Sequence, residues 1–84
     1  MKQQAEVITS WIGDGSEENP NRPLIADHYS LDKWSDVTGQ PSENLIPDPN
    51  SCVIFIECED TMMDQIETDS NYFVLWVENI EESP

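Results

Sequence analysis

Chemistry on this chain has to come from one histidine, two cysteines or a large excess of carboxylates. His28 stands between Asp27 and Tyr29. Nucleophilic catalysis needs a nucleophile, a base and a group that orients the base. No Gly-x-Ser-x-Gly elbow or similar setting accompanies this imidazole, so His28 reads as a packed loop residue. Cys52 and Cys58 fall on one apolar run, and on an extended strand they share a face but lie roughly 20 Å apart. A disulfide needs Cα atoms within about 7 Å, which excludes an intrachain bridge. Both thiols are expected in the core, with Cys58, near the strand end, as an alternative surface thiol, and they point to a reducing compartment. One histidine and two distant cysteines do not make a tetrahedral zinc set.

The carboxylates are the stronger signal. Eighteen acids face three bases, for a net charge of −15. The densest local cluster, Asp14-Gly15-Ser16-Glu17-Glu18-Asn19, is oxygen-rich and turn-prone. It lacks the alternating ligands, the sixth-position glycine and the distal glutamate of an EF-hand, so weak cation association is expected rather than a calcium site. Paired carboxylates for glycoside chemistry need a substrate cleft, for which 84 residues leave little room. No glycine-rich loop is present to cradle phosphate. The expectation is a protein that is not an enzyme, with no catalytic residue, no metal site and no cofactor.

Binding is the remaining class of function. Asp60, Asp64 and Glu67 recur at helical spacing and line one stripe, with Glu57, Glu59 and Asp69 nearby. Such a stripe is either a solvated helix face or an imitation of a phosphate backbone offered to a DNA-binding protein. Trp11, Trp34 and Trp76 are many tryptophans for this length. They serve either as core or as binding anchors; with Tyr29, Trp11 and Trp34 are the candidate anchors.

All three bases (Lys2, Arg22, Lys33) precede residue 34, and from Ser51 onward there are nine acids and no base. This field repels nucleic acid and anionic membranes and favours basic proteins or cations as partners. No run approaches the 18 or so apolar residues of a membrane span. The start Met1-Lys2-Gln3-Gln4 is unlike a signal peptide, and Asn-x-Ser/Thr is absent. Use or assembly in a cytoplasm is expected.

The elements that must position these residues centre on Ser51–Glu78. At this size one small domain buries roughly 60–65% of its unfolded surface. Residues 52–59 and 72–78 are β-branched and aromatic, the composition of strands. Between them Asp60-Thr61 offers a helix N-cap, and Met62, Met63 and Ile66 give helical apolar spacing over 61–69. Residues 4–12 alternate as a third strand, with Ala5, Val7, Thr9 and Trp11 on one face. The crossover of about a dozen residues is the minimum for parallel pairing. The predicted fold is α+β: a three-stranded mixed sheet with one short helix. Residues 13–50 read as a long proline-rich ordered arm with little regular structure. Within it, Leu24-Ile25-Ala26 is an apolar clip, Asp27–Trp34 a loop or 3₁₀ turn, and Asp36-Val37-Thr38-Gly39 a turn. Residues 79–84 read as an acidic, frayed tail.

One resemblance covers nearly the whole chain. Its motifs are Trp11-Ile12-Gly13-Asp14-Gly15, Asn19-Pro20-x-Arg22-Pro23, Ala26-Asp27-x-Tyr29, Trp34-x-Asp36-Val37-Thr38-Gly39-Gln40-Pro41 and Pro47-Asp48-Pro49-Asn50. They resemble a group of short acidic proteins encoded in tailed bacteriophages and prophages. The resemblance implies a virion-associated structural or assembly protein, assembled in the host cytoplasm, whose partners are other head, tail or decoration proteins. It carries over no functional residues. The alternative is an acidic DNA mimic that inhibits a host nuclease or a basic DNA-binding defence protein. Neither role involves direct nucleic-acid or membrane contact.

Overall fold

The computed structural model describes residues 1–37 and 50–80. The chain forms β1 (Lys2–Ile12), β2 (Arg22–Pro23), α1 (Leu24–His28), β3 (Lys33–Asp36), β4 (Ser51–Glu59), α2 (Asp60–Thr68) and β5 (Phe73–Asn79). The strands make one curled antiparallel sheet, in which β1 pairs with β4 on one side and with β5 and the short β2 on the other. β3 extends the sheet beyond β4.

This mostly-β architecture corrects the expected three-stranded mixed sheet with one helix. β4 and β5 run in the same direction but are not neighbours. Both pair antiparallel with β1, which lies between them. The α2 crossover therefore spans two strand spacings, roughly 9.6 Å, and never closes a parallel ladder.

The arm supplies the other correction, because residues 22–36 hold two strands and a helix rather than irregular chain. Five residues are too few for an isolated helix to form. α1 exists because Pro23, at φ −70° and ψ 139°, sets its entry and because Ile25 is fully buried. The Tyr29 amide donates to the Ile25 carbonyl at 2.8 Å to close it. β3 has no hydrophobic alternation and every residue is exposed, so only the backbone of β4 makes it a strand. At α2 the N-cap position is Glu59, with no side-chain capping bond, and Asp60 is already helical. Of the turn expected over 36–39, Asp36 closes β3, while Thr38 and Gly39 lie outside the described residues. Pro47-Asp48-Pro49 and residues 81–84 lie outside them as well.

Alternation sorts the sheet into two faces. Ala5 and Val7 of β1 and Cys52, Ile54, Ile56 and Cys58 of β4 point inward, where Ile25, Met63, Ile66 and Tyr72 pack on them. Both helices thus cover the same face. Cys58 is buried and both thiols are free, so the surface-thiol alternative fails. Thr9 is inward and buried, and its hydroxyl has no hydrogen-bond partner among the described residues.

Gly13 turns the chain out of β1 at φ +87°. An added Cβ there would press on the backbone of Asn19 and Pro20, so both the dihedral and the space require glycine. The turn closes through the amides of Asp14 and Gly15, which donate to the Asn19 carbonyl at 3.0 and 3.1 Å. The Asp14 carboxylate accepts the Ser16 amide at 3.0 Å. That bonding with Ser16 lowers its pKa. The acidic cluster is thus a self-bonded turn.

Candidate functional site

α1 and the residues after it hang beside the covered face and form the site. The chain leaves α1 extended at Tyr29. The Asp32 amide then donates to the Glu57 carbonyl at 2.9 Å, which steers the backbone into β3. Residues 26–31 and Trp34 enclose a cleft of about 480 Å³. Trp34 is 38% exposed, and its ring meets that of Trp11 edge-on with centroids 6.5 Å apart. The register explains the meeting. Trp34 pairs with Ile56 and so shares the inward face with Trp11, at the end of the β1 row.

A latch fixes the cleft to the loop after α2. The Tyr29 hydroxyl donates to Asp69 Oδ2 at 2.8 Å, and His28 Nδ1 lies 2.8 Å from the Tyr72 hydroxyl. The two tyrosine rings meet at 5.7 Å and 71°, an edge-to-face contact. Asp69 also accepts the Asn71 amide. That bond first, and the Tyr29 bond second, hold its carboxyl below the usual carboxylate range. The same contact raises the Tyr29 hydroxyl. Burial first, and Asp69 second, push Tyr72 up to about 12, so it stays a neutral phenol across the physiological range.

Acids rim the cleft. Asp27 Oδ1 holds Arg22 Nη2 at 2.6 Å, and Asp32 lies 3.6 Å from Lys2 Nζ. Both pairs are exposed and contribute little stability. An open cleft with a tryptophan, a tyrosine and carboxylates can hold a cationic side chain, by ring quadrupole and by Coulomb attraction. Among the described residues no three His, Cys, Asp or Glu side chains converge as metal ligands.

The structure brings Trp11, Tyr29 and Trp34 to one region. Asp60, Asp64 and Glu67 stand elsewhere, on the flank of α2 next to the buried Met63, with Asp64 and Glu67 exposed and Asp60 half-buried. Asp60 is partly engaged: its Oδ2 lies 3.4 Å from the Met1 amino group. Sequence reasoning missed Asp69, Tyr72 and His28 as a latch, because their pairing joins residues 40 and more positions apart. The visible signal was Tyr29 itself, an aromatic beside the chain's one histidine. No protein-family model, curated protein or solved structure matches this chain. No helix among the described residues is long and apolar enough to cross a membrane.

Proposed function

We propose that this chain is a non-enzymatic protein-binding module, a structural or assembly component of a tailed-phage virion that docks on basic surfaces of other head, tail or decoration proteins. The single observation that carries it is the convergence of Trp34 and Tyr29 on an acid-rimmed cleft, with Trp11 supporting Trp34. Aromatic anchors held in place before binding lose little entropy when a partner arrives. The virion setting rests on the resemblance in the turn motifs. Mass spectrometry of purified particles tests it: the protein is expected at a fixed stoichiometry to other virion proteins. Incorporation is expected to fall at least about tenfold when Trp34 and Tyr29 become alanine, the loss of a binding hot spot. Absence from particles overturns the proposal.

The exposed stripe on α2 favours a second reading, a DNA mimic that blocks a basic host protein. It requires salt-sensitive inhibition that disappears when Asp60, Asp64 and Glu67 are reversed to lysine. Unchanged inhibition dismisses it.

A further inference from the structure

The sheet has a second face, on the side away from α1 and α2. The registers place Glu6, Phe55, Glu57, Trp76 and Glu78 there, together with Ile8 and Val53, which are buried, so the open part of this face is the acidic and aromatic part. In one cross-strand row Phe55, Glu6 and Trp76 stand side by side, with Ser35 beyond Phe55. Their backbones belong to β4, β1 and β5, so Phe55 and Trp76 start roughly 9.6 Å apart. Their ring centroids are nevertheless only 6.1 Å apart, so the rings lean together across Glu6. Phe73, opposite Ile8, is 62% exposed, and Trp76 is 38% exposed. Large apolar side chains held in a group on a surface mark a binding patch rather than chance exposure.

Charge selects the occupant. Glu6, Glu57 and Glu78 surround the aromatic pair, and Gln4 Nε2 donates to Glu78 Oε2 at 3.3 Å within that acidic row. Among the described residues the registers put Lys33, opposite Glu57, on this face, and at the two ends of β1 Lys2, opposite Glu59, and Arg22, opposite Ile12; Lys2 and Arg22 are already paired with Asp32 and Asp27. A second copy would set these carboxylates against themselves on a chain of net charge −15, and nucleic acid carries the same sign. β5 also pairs with β1 alone among the described residues, which leaves its other edge open to an added strand.

We propose that β5 and the sheet face turned away from α1 and α2 dock an extended basic segment of another protein. Its backbone extends the sheet at β5, its apolar side chains pack on Phe73 and Trp76, and its lysines or arginines meet Glu6 and Glu78. This surface lies opposite the α1 cleft, so it stands or falls independently of the role given to Tyr29 and Trp34.

The test titrates the isotope-labelled protein with a short peptide in which leucine and lysine take turns on one face of the strand and threonine fills the other, and with a control in which serine replaces each leucine. Saturable amide shifts are expected along β5 and at Glu6 and Phe55, with weak binding of the control. Phe73→Ala with Trp76→Ala is expected to raise Kd about tenfold or more. Glu6→Gln with Glu78→Gln should weaken binding and flatten its salt dependence, whereas Glu17→Gln with Glu18→Gln, in the β1–β2 turn, should leave both unchanged. Retained amide dispersion in each variant separates lost binding from lost fold. Equal affinity for the control peptide, shifts confined to α2 or the α1 cleft, or self-association through this face in sedimentation would each overturn the proposal.

Discussion

Cys52 and Cys58 face inward from β4, beside the aliphatic residues of β1 and the helices. Burial pushes both thiols up from an ordinary 9.0 to about 11, helped by Asp36 at Cys52 and by Asp32 at Cys58. A group whose folded pKa is raised favours the fold while it stays protonated. That stability is fully present below about 9 and is lost as pH rises towards about 11. The urea midpoint is therefore expected to hold up to about pH 8 and to fall steadily between about pH 9 and 11. Replacing both cysteines with alanine should lower the midpoint at neutral pH, through the cavities left, and make the alkaline fall shallower. A fall of the same steepness in that variant would assign the alkaline loss to other groups.

At the scale of elements, α1 is held from outside itself: Ile25 anchors it below and the His28–Tyr72 contact anchors its last residue. Tyr72→Phe keeps the buried ring and removes only the hydroxyl. The expected loss is about 1 kcal/mol, the usual net value of one hydrogen bond. Amide exchange at residues 24–31 should rise more than in β1 or β4, because the latch holds a local unit. Uniform acceleration across the sheet would instead make Tyr72 a global core residue. The same elements show what the sequence could and could not reveal. β1 was legible from its alternation, β4 and β5 from their β-branched and aromatic composition, and α2 because Met63 and Ile66 keep helical spacing. β3 and α1 were not, since four exposed residues and five mixed ones carry no periodic signal and take their form from neighbours. The order of strands was misjudged for a related reason. A connection of a dozen residues fixes the direction of β5 relative to β4 but not whether β1 is inserted between them. Within the site, Trp34 and Tyr29 were visible as aromatics in a polar arm, whereas Asp69 and Tyr72 became partners only through the fold.

On the scale of the molecule, charge outweighs the few ion pairs. Arg22 and Lys2 bond to Asp27 and Asp32, and most of the eighteen acids have no base to meet. At an ionic strength of about 0.01 M the screening length is about 30 Å. That is close to the 40 × 32 × 24 Å extents of the molecule, so most carboxylates are within range of one another. Unfolding spreads these charges and relieves the repulsion, which makes the folded state the more strained one at low salt. Raising salt to about 0.3 M cuts the screening length to about 6 Å and removes most of that difference. The melting temperature is thus expected to rise by several degrees between these conditions, given about 4–8 °C per kcal/mol for a domain of this size. Scanning calorimetry in sodium chloride, with sucrose as an uncharged comparison, separates screening from general exclusion effects. A flat or falling melting temperature would mean that the surface pairs, Arg22–Asp27 foremost, matter more than the −15 field around them. The same repulsion is what a basic partner relieves on binding. Salt should therefore stabilise the free protein and weaken its complexes, and the two trends should cross in a single titration.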